Sequence, residues 1–168
     1  HYGTLGQLQH GLNYANAYLS SLGQAENELR KLNEWPYPKN TTVKLFIMAG
    51  HRNMEGERAF TQDITKRKDQ ELLLKDNLGV AYKYSLGGGY KVSKGWEPLG
   101  VVNYYDSFGP ELSFGSFLNK KNIGDFAIAK FTHSGSQIID WTPDGSIAKS
   151  RNLYEKFINF VKESISEI

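Results

Sequence analysis

The run Val43-Lys44-Leu45-Phe46-Ile47-Met48-Ala49 is short, nearly all apolar and rich in strand formers, and it stops at Gly50. Continuous apolar character without polar alternation predicts a strand buried on both faces of a parallel sheet. Parallel strands need crossover connections, so helices must follow. Downstream, Gly109-Pro110 opens a helix over Glu111 to Leu118, with proline at an allowed first-turn position. Asp125 to Phe131 reads as a second strand. Asn152 to Ile165, apolar at Leu153, Phe157, Ile158, Phe160, Val161 and Ile165, reads as a final amphipathic helix. Strand, helix, strand, helix in that order predicts an α/β fold with a parallel sheet covered by helices.

Ahead of this pattern, apolar residues from Leu5 to Leu32 recur every three or four positions, one face of a long helix with a break expected at Gly23. Trp35-Pro36-Tyr37-Pro38 ends it. Its stripe must pack on the body that follows or on a neighbouring domain. The expected organisation is a helix and linker over 1–40 and an α/β domain over 41–168. Residues from about Glu55 to Lys75 predict irregular loop with some helix. Gly87-Gly88-Gly89, between aromatic stretches, predicts a hairpin tip. It lacks the strand-then-helix context of a phosphate-binding loop.

The 168 residues, 39% hydrophobic, fit one globular domain. The formal net charge is only +2, and the basic cluster Lys66-Arg67-Lys68 is bracketed by Asp63, Asp69 and Glu71. It reads as a solvated helix face, which argues against a nucleic-acid partner. The absence of cysteine excludes disulfides, thiolate metal sites and a cysteine nucleophile. No apolar run is long enough to cross a bilayer, so no membrane partner is expected. His1 in place of methionine suggests that something upstream has been removed, and Asn40-Thr41-Thr42 is a glycosylation sequon.

Phe46-Ile47-Met48-Ala49-Gly50-His51-Arg52-Asn53-Met54-Glu55-Gly56 resembles the first block of the sialate O-acetylesterase and acetylxylan esterase-like branch of the SGNH hydrolases, which usually reads Gly-Gln-Ser-Asn-Met-x-Gly after a buried strand. Trp96-Glu97-Pro98-Leu99 followed by Gly109 to Gly115 looks like that family's segment leading into its second helix. Asp125 through Trp141, with Lys130, Gly135 and Asp140-Trp141, looks like its second strand and the loop after it. The fold this resemblance implies is the flavodoxin-like three-layer α/β/α sandwich of a carbohydrate esterase. Loops after the two strands should then emerge on one edge of the sheet.

The resemblance places Arg52 at the nucleophile position, with Asn53 and Gly135 at the turn and the oxyanion loop. His51, Glu55, Ser134, Ser136, Gln137 and Trp141 become candidates for binding substrate. It implies no cofactor and no metal, and His1, His10, His51 and His133 do not form a convincing metal motif. Asn53 either ties the turn or helps polarise a bound carbonyl. His133, Ser134 and Ser136 are either a His-Ser pair or loop residues holding turns. Trp96 and Trp141 are either sugar-stacking surface or packing.

Two departures from the family pattern bear on activity. A guanidinium stays protonated and cannot attack a carbonyl, so Arg52 blocks acyl-enzyme chemistry at that position. The family's Asp-x-x-His block would be expected beyond Ile168, so the domain reads as incomplete at its C-terminus. The leading expectation is therefore a carbohydrate O-acetylesterase-like domain lacking esterase activity. The alternatives are a glycan-binding pseudoenzyme that holds an acidic sugar on Arg52, or a structural accessory domain. The expected partners are an acetylated or acidic carbohydrate and a C-terminal segment or neighbouring domain, in a secreted or periplasmic setting.

Overall fold

The computed structural model describes residues 3–22, 37–38, 40–67, 70–75 and 77–168. In chain order its elements are α1 (Thr4–Leu22), β1 (Lys44–Gly50), α2 (Arg52–Glu55), α3 (Thr61–Thr65), β2 (Asn77–Leu86), β3 (Lys91–Val92), β4 (Glu97–Leu99), α4 (Glu111–Lys120), β5 (Phe126–Thr132) and α5 (Leu153–Ser166), with short 3-10 turns between them. The part of the expected first helix beyond Leu22, including Gly23 and Trp35-Pro36, lies outside the described residues.

β1, β5 and β2 run parallel, with β5 in the middle. β3 and β4 pair antiparallel with the outer side of β2. All of β5 is buried, and its side chains alternate between two cores. Phe126 and Ile128 join the cluster beneath α1 and α4, while Ala129 and Phe131 face α5 through Leu153 and Phe160. Each large side chain removed from water here contributes about 1.5–3 kcal/mol. The result is a mixed α/β fold with a mostly parallel sheet between helical layers.

β1 departs from its expected burial on both faces. It is the edge strand among those described, and only Met48 along it is buried, while Ile47 is 43% exposed. One face is well covered: Phe46 meets Tyr18, Phe114 and Phe126 edge to face. The opposite face extends past the cover of α5, which packs on β5. A continuous apolar run reports two apolar faces, but not which of them a helix reaches.

β2 is the strand the sequence pattern hides, because Gly79 interrupts its apolar run. That glycine lets the strand pass Asn119 of α4, whose amide nitrogen would stand 2.9 Å from an added Cβ. The three consecutive glycines do form a hairpin tip, joining β2 to β3 through the pairs Ser85–Val92 and Leu86–Lys91. The stripe of α1 packs on the body that follows it. Leu8 and Ala15 are in the main core, Gly11 lies against Ser113 and Pro110, and Ser113 Oγ donates to the Leu8 carbonyl at 2.9 Å.

Candidate functional site

Loops following β1, β5 and β2 converge at the carboxyl edge of the sheet, as an open parallel sheet requires of a site. His133 N donates to Gly50 O at 3.1 Å, and Gly88 N donates to Thr132 O at 2.8 Å, so the three strand ends are stitched together. β1 breaks at Gly50, the chain turns through His51, and α2 starts at Arg52. Gly56, in the left-handed region at φ 96°, closes that turn against the backbone of Phe108.

Beneath the turn lies a buried polar network. Glu55 is 6% exposed, and its Oε2 accepts from Thr132 Oγ1 at 2.8 Å and from Gly87 N at 3.2 Å. Its carboxylate thus ties the turn to both neighbouring loops. Its backbone carbonyl accepts from Lys130 Nζ at 3.1 Å and from Asn103 Nδ2. Lys130 is completely buried and pairs with Glu111 Oε2 at 2.7 Å, while Glu111 Oε1 accepts from Gly109 N at 3.0 Å. Burial pulls the Lys130 ammonium below the ordinary lysine range, and the Glu111 carboxylate opposes that shift.

Arg52 stands where the resemblance puts a nucleophile. Its Nε is 3.7 Å from Glu57 Oε2, and the same carboxylate oxygen accepts from Ser134 Oγ at 2.8 Å. Gly135, on the loop after β5 with φ 78°, donates its N–H to His51 Nε2 at 2.9 Å. That bond fixes the proton of a neutral His51 on Nδ1. The amide that the resemblance places on an oxyanion loop is thus engaged by an imidazole. Arg52 and Gly135 do emerge on the same edge.

The other candidates hold the loop. His133 Nδ1 bonds the Ser134 carbonyl at 2.7 Å, and Ser136 Oγ donates to the His133 carbonyl at 2.8 Å. Among the described residues, neither His51 nor His133 hydrogen-bonds a serine hydroxyl. Gln137 and Asp140 form a capping box on the turn over Ile138–Trp141. Arg151 Nη1 reaches Asp140 Oδ2 at 3.1 Å. The Gln137 N–H foremost, and then Arg151, hold the Asp140 carboxyl below its ordinary range. Trp141 donates its indole N–H to Ser136 Oγ at 3.0 Å and packs edge-on against Phe131, and Trp96 lies against the same cluster. Asn53 is exposed on α2, and its carbonyl accepts from the Gln7 side chain of α1.

Sequence reasoning missed a cavity of about 420 Å³ beside the turn, whose walls include Glu57, Arg58, Tyr104, Tyr105 and Ser134. Tyr104 packs against Tyr90 with the rings tilted at 54° and their centres 5.6 Å apart, and Lys91 Nζ lies 5.9 Å from the Tyr104 ring centre. Burial, with the Glu55 charge behind it, pushes the Tyr104 hydroxyl up to about 12. The Tyr104-Tyr105 pair and the charge of Arg58 were visible in the sequence, but nothing local tied residues so far apart to one hollow.

The family model described as carbohydrate esterase, sialic acid-specific acetylesterase matches residues 42–168. No curated protein and no solved structure matches the chain significantly.

Proposed function

Because this chain belongs to the carbohydrate esterase family of sialic acid-specific acetylesterases, we propose that it binds a glycan at the loop edge of its sheet without hydrolysing an ester there. The family points to acetylated sugars as ligands. What supports the non-hydrolytic reading is Arg52 at the position where the resemblance puts the nucleophile, with its guanidinium beside Glu57. A permanently protonated group offers no lone pair to an acyl carbon. The Gly135 amide on His51 adds to this, since an oxyanion would have to displace the imidazole to reach that donor. Ser136 Oγ donates to the His133 carbonyl and Ser134 Oγ donates to Glu57, the carboxylate that also faces Arg52, so among the described residues neither hydroxyl is paired with a histidine base.

The Arg52 charge, shared with Glu57, is a weaker anchor for an acidic sugar than its position alone would suggest. The accessory-domain reading has less support, since the α1 stripe that could have joined a neighbouring module is covered by α4 at Leu8 and Ala15.

Acetate release from O-acetylated N-acetylneuraminic acid and from acetylated xylan tests the proposal, together with calorimetric titration of the same glycans. The expected result is binding with no acetate release above the buffer rate. Protein-dependent acetate release that disappears in Arg52→Ala would overturn it.

A further inference from the structure

We propose that the hydrogen bond from the Gly135 N–H to His51 Nε2 is a proton-operated latch on the loop after β5: when His51 takes up a proton the bond breaks, and the peptide at Gly135 is released with its N–H turned toward solvent. The inference goes beyond the glycan-binding reading, because the latch is set by the protein alone, whatever the loop edge binds.

The chemistry of the two partners is the first argument. Gly135 N lies 2.9 Å from His51 Nε2. A backbone N–H can only donate, so Nε2 must present its lone pair, and that lone pair is also where a neutral ring accepts a proton. Proton uptake converts the acceptor into a second donor aimed at the first, and the bond cannot survive in the imidazolium form. His133, on the same loop, is built the other way. Its Nδ1 lies 2.7 Å from the Ser134 carbonyl, an acceptor, so Nδ1 carries its hydrogen whether the ring is neutral or charged. Protonating His133 leaves that bond in place.

Charge is the second argument. Arg52 follows His51 in the chain and faces Glu57 at 3.7 Å. Arg151 Nη1 stands 3.3 Å from the Gly135 carbonyl and 3.1 Å from Asp140 Oδ2. From α1, His10 and Tyr14 line a hollow of about 280 Å³ together with His51. The carboxylates around the turn are already engaged: Glu57 by Arg52 and Ser134, Asp140 by Arg151, Glu55 by Thr132 and Gly87, and Glu111 of α4 by Lys130. Among the described residues no carboxylate hydrogen-bonds His51. A charged His51 thus adds a cation beside two guanidiniums, one of which already touches the Gly135 peptide.

Freedom to move is the third. The bond from His133 N to Gly50 O, the capping box of Gln137 and Asp140, and the Arg151–Asp140 pair do not involve His51 and hold the loop on both sides of its tip. Between them Gly135 is exposed, lies at φ 78°, and would meet nothing within 4 Å if it carried a Cβ. A glycine in open space between fixed ends can rotate its peptide without displacing a side chain. The latch therefore frees one amide and leaves the sheet as it is.

The test is an NMR titration of the full chain from about pH 8 to about pH 5, following backbone amides and the imidazole nitrogens. The Gly135 amide proton should move upfield, and its protection factor, corrected for the intrinsic exchange rate at each pH, should fall about fivefold. Both changes should share the midpoint of the His51 ring signals, while the amides of β5 keep their protection. His51→Phe, which offers no acceptor, should show the low Gly135 protection throughout with no step. His10→Gln should keep the step. A Gly135 amide that stays protected after His51 is charged overturns the latch. So does a step that survives in His51→Phe, a step lost in His10→Gln, or a loss of protection that β5 shares.

Discussion

Lys130 Nζ and Glu111 Oε2 lie 2.7 Å apart with neither side chain measurably exposed, which joins the middle strand of the sheet to the first turn of α4 directly under the candidate site. Removing one partner leaves the other charge in a low-dielectric interior. Lys130→Met should therefore cost about 3–5 kcal/mol in urea unfolding. The double change Lys130→Met with Glu111→Gln should cost clearly less than the sum of its single changes.

The same lysine gives a signed pH effect. Its folded pKa is lowered, mainly by burial, so the unfolded chain binds the proton more strongly. Stability should rise with pH between that lowered value and the ordinary lysine value of about 10.4. Unfolding curves of wild type and Lys130→Met across the alkaline range should differ in slope in that direction.

Asp140 acts at the other end of the scale. Its folded pKa is depressed, foremost by the Gln137 N–H and then by Arg151. Its contribution is complete above the unfolded carboxyl value of about 3.9 and is lost as pH falls through the lowered folded value. Asp140→Asn should flatten that acid limb, and hydrogen exchange over residues 135–141 in wild type should accelerate within it.

Gly11 lets α1 pass close to α4. An added Cβ would sit 1.9 Å from Ser113 Oγ and 2.4 Å from the Pro110 carbonyl. The serine can rotate, but the carbonyl is backbone. Gly11→Ala should destabilise by about 1–3 kcal/mol, read by thermal unfolding, despite its better helix propensity.

Trp141 separates packing from sugar contact. Its indole donates to Ser136 and its ring packs on Phe131 and Phe157. Trp141→Phe should cost about 1 kcal/mol for the lost hydrogen bond and leave glycan titrations unchanged.

The frame of the fold was readable because its signals are local. β1, α4, β5 and α5 fall within a residue or two of their expected bounds, each marked by an apolar run or a helix stripe. β2 was not readable, because Gly79 breaks its run and its identity as a strand comes from lying beside β5. The turn at His51-Arg52 and the loop at Gly135 were legible through a family pattern, and the structure brings them into hydrogen-bond contact. The role of Gln137 in capping a turn was not legible either, because it depends on Asp140 three residues later. The Arg58–Tyr105 hollow was invisible for a different reason. Residues 58 and 105 become neighbours only because Phe108 pairs with Ala59 and Ser107 with Phe60.

The packing of α1 bears on how this protein can be handled and inherited. The family match starts at residue 42, but the core within that stretch is partly roofed by α1, described over Thr4–Leu22. A version trimmed to the matched region would bare the α4 surface that Leu8, Gly11 and Ala15 now cover, and should precipitate or bind a hydrophobic dye. The stretch that the family model matches is thus smaller than the unit that this chain needs in order to keep its interior dry.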